Sequence, residues 1–290
     1  MIEKITIIGM GLIGSSIARN IQKHKLAKTL VAADLSEEVC SKVAELGIAD
    51  YVTNDLARSV EGADIVILCV PVGAMGSVAA SIAPNLKDCA IVTDTGSVKS
   101  SIIKSLDGAL PDSVDFVPAH PIAGTEFSGP ESGFAELFDG RWCILTPLPD
   151  TSIKSVEAVT KLWEAFGSNV DIMNPEHHDL VLGVTSHLPH LIAYTIVGTA
   201  NDLEDDIKSE VVKYSASGFR DFTRIASSDP TMWRDVFLNN KTAVLEILQR
   251  FTEDLTELQK AIRKGDGDYL YRRFDETRAI RKEIIDQGQA

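Results

Sequence analysis

Cysteine is scarce. The 290-residue chain has four, Cys40, Cys69, Cys89 and Cys143, and no two form a C-x-x-C pair. Set mostly inside apolar runs, they read as free buried thiols of a reducing compartment, not as a disulfide framework or metal ligands. Basic residues are also in deficit, 28 Lys and Arg against 42 Asp and Glu, for a net charge of −14. No basic cluster exceeds the pair Arg272-Arg273, so the chain offers no footprint for a phosphate backbone and a nucleic-acid partner is not expected. No uninterrupted apolar run approaches the roughly 18–20 residues of a membrane span. The first 21 residues carry Glu3, Gly9, Gly11 and Gly14 where a secretory leader would have basic and apolar regions. The expectation is a soluble, cytoplasmic protein without a membrane partner. The remaining composition, 44% hydrophobic and 24% charged, excludes disordered and low-complexity classes.

The length suggests two domains. In the first half, short β-branched runs at 5–8, 30–33, 64–70, 90–93, 116–118 and 142–146 alternate with helical patterns such as 12–25 and 37–46. That alternation predicts βαβ units and a doubly wound parallel sheet. Gly47 has the place of a C-terminal helix cap. A last α/β pair falls at 153–166 and 169–173. From Pro175 onward, amphipathic helical patterns take over at 186–202, 207–226, 230–264 and 268–286. Asp229-Pro230 has the form of a helix start, with Asp as the cap and Pro in the first turn. The expected division is 1–173 for the α/β domain and 174–290 for an all-α domain. Apolar residues such as Val244, Leu248, Leu255 and Ile262 suit either an internal core or a second copy, and a homodimer joined through these helices is preferred.

The segment ITIIGMGLIGSSIARNI places Gly9, Gly11 and Gly14 as G-x-G-x-x-G between a strand and a helix, and Asp34 closes the next strand 20 residues beyond Gly14. The glycines permit a tight turn, close approach of a pyrophosphate to the helix start, and close packing of helix on sheet. Asp34 would accept hydrogen bonds from ribose hydroxyls. It would also repel a 2′-phosphate, and neither Leu35 nor Ser36 supplies a compensating Arg, so NAD is preferred over NADP. Leu12 and Ile13 lie at the helix start. Val70, Pro71 and Thr95 sit at the carboxyl ends of later strands, where open α/β sheets bind ligands. Ser97 either caps the helix after it or contributes a polar group to that edge.

Three further segments carry unusual polar residues: FVPAHPIAGTEFSGPESGF around His120 and Glu126, HHDLVLGVTSHLPHLIAY with His187 and His190 flanking Pro189, and SASGFRDFTRIASSDP with Arg220 and Arg224. Pro189 is expected to break its helix. With TDTGSVK, AHPIAGTE, SHLPH and GFRDFTRIA in this order, the chain resembles the prephenate and arogenate dehydrogenases, or cyclohexadienyl dehydrogenases, of tyrosine biosynthesis.

The resemblance spans nearly the whole chain. It implies a Rossmann-type α/β N-terminal domain, an all-α C-terminal dimerisation domain, and NAD-dependent oxidative decarboxylation of prephenate, arogenate or both. It also implies that His120 is catalytic and takes the hydroxyl proton, and that Ser97 hydrogen-bonds both this histidine and the substrate hydroxyl. His187, Arg220 and Glu126 lie on the substrate side by the same resemblance, Arg220 holding a carboxylate. His190, Arg224 and Arg234 are expected to be structural. No metal is implied, and neither a chorismate mutase nor a regulatory domain is expected. Some members carry an acidic residue just before the GF of GFRDFTR where this chain has Ser215, Ala216 and Ser217, so any gating contact of Glu126 must differ. Two other readings are a β-hydroxyacid dehydrogenase, which places a lysine where His187 follows Gly183 by four residues, and a non-catalytic NAD sensor, which needs none of these polar groups.

Overall fold

The inner halves of two long strands, β1 (Ile2–Ile8) and β2 (Ala27–Ala33), are fully buried, as a sheet covered on both faces requires. The computed structural model describes residues 2–202, 210–211 and 213–286. In it β3 (Tyr51–Thr53), β4 (Ile65–Leu68), β5 (Ile91–Asp94) and β6 (Asp115–Val117) complete a six-stranded parallel sheet of order β3-β2-β1-β4-β5-β6. The order reverses between β1 and β4, which opens a crevice at their carboxyl ends. This is the doubly wound, Rossmann-type arrangement.

Strand residues alternate between two cores, as the period of two demands. Ile5, Ile7, Ile65 and Ile67 face α1 (Leu12–His24) and α6 (Ile153–Ala165) through Ile17, Ile21 and Trp163, with Phe138 of the 3-10 turn Ala135–Phe138 in the same core. Val66, Leu68 and Val92 face α4 (Met75–Ile82) and α5 (Ser100–Leu106) through Met75, Val78 and Ile102. Fully burying side chains of this size contributes roughly 1.5–3 kcal/mol each. The remaining helices of this half are α2 (Glu37–Leu46), ended by Gly47 at φ 61, and α3 (Leu56–Ser59).

Several expectations are corrected. The edge strand β3, three residues long with Tyr51 exposed, is too short to show periodicity. The runs at 142–146 and 169–173 do not extend the parallel sheet. They form β8 (Trp142–Leu145) and β9 (Asn169–Ile172) of a second sheet, which begins with β7 (Ala119–Pro121) and pairs antiparallel to β8. Pro118 separates β6 from β7: it has no N–H for the first ladder, and its carbonyl accepts from the Thr146 N–H at 3.0 Å, which turns the chain toward β8. All four cysteines are free, but only Cys143 is fully buried, and Cys89 is exposed at φ 60.

Beyond the sheets, α7 (Pro175–Leu182), a π-helical turn (Gly183–His187) and α8 (Leu188–Asn201) run on without interruption. Pro189 does not break this helix, because the wide π turn just before it absorbs the missing N–H and the ring's bulk. The 27-residue run 175–201 includes an 18-residue window of mean hydropathy 1.5, and so is long and apolar enough to cross a membrane. A count of uninterrupted apolar residues overlooks it, because Thr185, Ser186, His187 and His190 punctuate it.

Of the expected helix 207–226, residues 207–209 and 212 lie outside the described residues. Its later part is only α9 (Ser217–Thr223), followed by a 3-10 turn over Arg224–Ser227. The expected helix 230–264 is two: α10 (Pro230–Asn239), whose cap Asp229 accepts from Met232 N–H at 2.8 Å, and α11 (Lys241–Lys264). Asn240 lies between them at φ −102, ψ 32. The last helix is α12 (Gly267–Asp286). The chain forms two compact units, Met1–Lys241 and Thr242–Ala290. The second is helical and leaves Leu255, Ile262, Tyr271 and Phe274 exposed.

Candidate active site

The turn after β1 owes its shape to three glycines. Gly9 has φ 94, and a Cβ there would meet the Cys69 carbonyl oxygen at 2.6 Å and Val70 Cγ1 at 3.0 Å. A Cβ on Gly14 would lie 2.0 Å from the Gly9 carbonyl oxygen, whereas one on Gly11 would meet nothing within 4 Å. Gly9 and Gly14 therefore close the turn onto β4 and α1, and Gly11 leaves open space above it. Helix α1 starts after Gly11 with no side-chain cap and no acidic residue in its first turn, so the N–H groups around Leu12 and Ile13 are free to meet an anion.

Asp34, at the end of β2, accepts from Met10 N–H and Ser36 N–H, both at 2.9 Å. That fixes a carboxylate beside the turn. Val70 and Pro71 follow β4, and Thr95 follows β5 with its N–H on the Leu68 carbonyl at 3.0 Å. All nine of these positions lie along the crevice edge that the strand order creates.

A second group of side chains comes from five separate stretches of the same unit. His120, in β7, is 7% exposed. Its Nδ1 lies 2.8 Å from Nε2 of the fully buried His178, and His178 Nδ1 lies 2.9 Å from Asp179 Oδ1. The Asp179 carboxylate also accepts from Lys99 N–H at 2.7 Å and Ser100 N–H at 2.9 Å, which ties it to the start of α5. Lys99 is itself fully buried; its ammonium donates to Asp94 at 2.5 Å and to the Ala119 carbonyl at 2.6 Å. Asn240 donates from one amide nitrogen to the Asp179 carbonyl at 2.8 Å and meets His187 Nδ1 at 3.0 Å.

Because the Asn240 amide nitrogen can only donate, His187 Nδ1 accepts and its proton is on Nε2. That Nε2 is buried and makes no hydrogen bond of good geometry among the described residues, although the Ser97 backbone is near enough to His187 to favour its protonated form. An unpartnered buried donor is costly, and here it is a ready-made contact for an acceptor on a ligand.

The electrostatics keep this cluster uncharged at the histidines. Burial, then the neighbouring His178, Lys99 and His187, push His120 well below its ordinary value. Burial also lowers His178, opposed by Asp179, and takes His187 down to about 4, opposed by Asp179 and by the Ser97 backbone. Burial works to raise Asp179, but hydrogen bonds from His178, Lys99 and Ser100 outweigh it and hold the carboxyl below its usual range. Burial likewise drives the Lys99 amine down against the pull of Asp94.

Two family models match the chain. The nucleotide-binding domain of prephenate dehydrogenase matches residues 17–172, and the dimerization domain of prephenate dehydrogenase matches residues 174–276. The chain belongs to the prephenate dehydrogenase family. It is 46% identical over 279 residues to cyclohexadienyl dehydrogenase of Zymomonas mobilis, covering 96% of this chain and 95% of that protein. To the prephenate dehydrogenase of Bacillus subtilis it is 33% identical, covering 97% and 76%. Its fold superposes on the crystal structure of Aquifex aeolicus prephenate dehydrogenase in complex with hydroxyphenyl propionate and NAD+ with a TM-score of 0.91 at 36% identity, covering 98% of this chain and 99% of that one.

In this prephenate dehydrogenase family chain the expected residues meet only in part. His120 and His187 belong to the buried cluster. Ser97 is half-buried on the loop after β5, but its hydroxyl makes no hydrogen bond to His120 among the described residues, and it does not cap α5, whose cap position is Lys99. His178 holds the His120 nitrogen instead. Arg220 is exposed on α9. The arginine that reaches the loop after His120 is Arg224, whose Nη1 lies 3.1 Å from Glu126 Oε2. His190 stacks on Trp233 with ring centroids 3.6 Å apart and bonds the Ser186 carbonyl, and Arg234 pairs with its neighbour Asp235.

Sequence reading missed His178, Asp179, Lys99, Asp94 and Asn240. One signal was available: His178-Asp179 follows Asn174-Pro175, a capped helix start, and a charged residue so placed with its side chain turned inward needs a partner. Residues nine apart lie on roughly opposite sides of a regular α-helix, so nothing in the spacing joined His178 to His187. The π turn that changes this register is a tertiary feature.

Proposed function

We propose that this chain is an NAD-dependent dehydrogenase that oxidatively decarboxylates prephenate, arogenate or both, in tyrosine biosynthesis. The observation that carries the reading is His120, a buried histidine kept neutral by its surroundings, in a unit that also holds a glycine-lined turn, an uncapped helix start and Asp34. The turn suits a dinucleotide: open space over Gly11 for a pyrophosphate, and a carboxylate at Asp34 for ribose hydroxyls in preference to a 2′-phosphate. Bound there, NAD would supply the hydride acceptor.

The chain's own groups divide the rest of the work. His120, as a neutral imidazole, takes the proton of the substrate hydroxyl as the ring carbon is oxidised. The ring carboxylate leaves as CO₂ and the ring becomes aromatic, which makes the step irreversible. Ser97, on the loop after β5, shares that proton in the same reading. His187 donates from Nε2 to an acceptor on the substrate, Arg220 contributes a positive charge for a carboxylate, and Glu126 borders the site from the loop that Arg224 holds.

Burial of the cluster also excludes water, which would otherwise screen these charges. In the same reading the cofactor part is 1–173 and the helical part 174–290. The latter forms a cytoplasmic homodimer, which covers the apolar residues left exposed at Leu255, Ile262, Tyr271 and Phe274.

The test is kcat/KM for prephenate and for arogenate, each with NAD and with NADP. The expected outcome is turnover of at least one of the two, with NAD preferred. A purified, folded, NAD-binding protein that turned over neither would overturn the reading in favour of a binding protein.

A further inference from the structure

Two hydrogen-bonded groups, His178 and Asp179, stand in line behind His120, and the proton positions follow from which atoms can only accept and from the burial that keeps His178 neutral. The Asp179 carboxylate accepts and cannot donate. His178 Nδ1, 2.9 Å away, therefore carries a hydrogen. A neutral His178 then has only a lone pair at Nε2, and that atom is 2.8 Å from His120 Nδ1. Two lone pairs cannot face each other at that distance, so His120 Nδ1 carries the hydrogen and its Nε2 is bare.

The reverse direction would turn a His178 lone pair toward a carboxylate already held by two backbone N–H groups at Lys99 and Ser100. The line is thus anchored at the start of α5 and ends at the ring of His120. Among the described residues His120 Nε2 has no protein partner.

We propose that His178 and Asp179 are positioning residues that hold His120 in its Nδ1–H tautomer, leaving the Nε2 lone pair as the base for the substrate hydroxyl. The proposal rests on the functional reading above for its kinetic consequence, but not for the tautomer. When Nε2 takes the hydroxyl proton, the imidazolium would sit close to the Lys99 ammonium, which is bonded to the neighbouring Ala119 carbonyl. Passing the Nδ1 proton to His178 Nε2 relieves this: one N–H bond breaks at His120, one forms at His178, His120 is left neutral with its proton on Nε2, and the positive charge lies on the ring that faces Asp179. The arrangement extends by one ring the logic by which a buried carboxylate orients a catalytic imidazole. The charged and titratable groups around His120 are His178 and Asp179 from α7, Lys99 ahead of α5, Asp94 from β5, His187 from the π turn and Cys143 from β8.

The first test needs no turnover. Nitrogen-15 NMR of the full-length wild-type protein should show His120 protonated at Nδ1 and bare at Nε2 near pH 7.5. Finding the proton on Nε2 would overturn the proposal. The second is kinetic. His178→Phe should lower kcat on the order of 10² to 10⁴-fold with NAD affinity and KM within about threefold of wild type, and should release His120 to the Nε2–H tautomer. His178→Gln, whose amide oxygen can accept the same proton, should recover at least tenfold of that loss and restore the Nδ1–H signal. A folded His178→Phe protein with wild-type kcat and pH profile would refute the proposal, as would a folded His178→Gln protein no more active than His178→Phe. If wild-type protein turned over neither cyclohexadienol while His120 was Nδ1–H, the functional reading would fall and the tautomer assignment would stand.

Discussion

The two ends of the candidate site are built on opposite plans. The cofactor end is local: Gly9, Gly11, Gly14 and Asp34 lie within 26 consecutive residues, and most of its contacts are made by backbone. The histidine end is dispersed. It joins Asp94 and Lys99, His120, His178 and Asp179, His187, and Asn240 through side chains, and almost every polar atom has a particular partner. A backbone site tolerates change in the side chains around it and fails when a Cβ intrudes. A side-chain network fails when any one partner is lost, because the others are left buried and unpaired.

The contrast can be broken deliberately, and the largest effect is expected at the dispersed end. His120→Asn should lower kcat by on the order of 10² to 10⁴-fold and leave NAD binding unchanged, as checked by steady-state kinetics beside a cofactor titration. Wild-type turnover by that variant would remove His120 from the chemistry.

Acid should act next, again on the histidines alone. His120, His178 and His187 are held below their ordinary values in the folded chain, so the unfolded chain binds protons first. Stability is then fully present above about pH 6.5 and falls as pH drops through that value, toward about 4 for His187. The slope is at most about 1.4 kcal/mol per pH unit for each histidine. Urea midpoints measured between pH 7.5 and 4.5 report it, and His187→Asn should flatten the curve. A wild-type midpoint independent of pH over that range would contradict the neutral cluster.

Gly14→Ala sharpens the other side of the comparison. A Cβ 2.0 Å from the Gly9 carbonyl oxygen forces helix and turn apart at a cost of about 1–3 kcal/mol, which should appear as weaker NAD binding with His120 still Nδ1–H. Gly11→Ala, with nothing within 4 Å, should leave the apo protein's melting temperature within about 1 °C while weakening NAD binding if the pyrophosphate approaches there. Equal cofactor affinity in both variants and wild type would mean that the turn does not hold the dinucleotide.

The smallest effect belongs to the exposed pair Arg224–Glu126, which joins the turn after α9 to the loop after His120. Arg224→Ala should cost about 0–1 kcal/mol of stability, because its side chain is 58% exposed. Its consequence should be read in KM, where a rise larger than that of Arg220→Ala would make Arg224 the arginine nearer the substrate.

How much was legible follows from these plans. The glycine turn and Asp34 could be read because a dinucleotide turn imposes fixed spacings on a short stretch of chain. His120 and His187 were legible only through resemblance, since a histidine at a strand end or on a helix carries no signature by itself. The partners were barely legible: His178 and Asp179 come from α7, His178 lying 58 residues beyond His120, and Asn240 comes from a helix break 61 residues beyond Asp179.

Pro118 illustrates the same limit at the level of fold. Its lack of an N–H was visible in the sequence, but not that the ladder would stop at Val117 and restart in a second sheet. Likewise Pro189 was expected to break its helix and does not, because the π turn that accommodates it depends on what packs around Gly183–His187.

Sequence alone therefore determined the alternation of strands and helices, the glycine turn after β1 and the change to a helical second half, because each rests on periodicity and backbone geometry within a few residues. Tertiary structure alone decided the division into two sheets, the continuity of the helix through Pro189, and the chain of donors and acceptors from Asp179 to His120. Those depend on which atoms meet after folding, and a hydrogen bond's direction is settled only when both of its ends are in place.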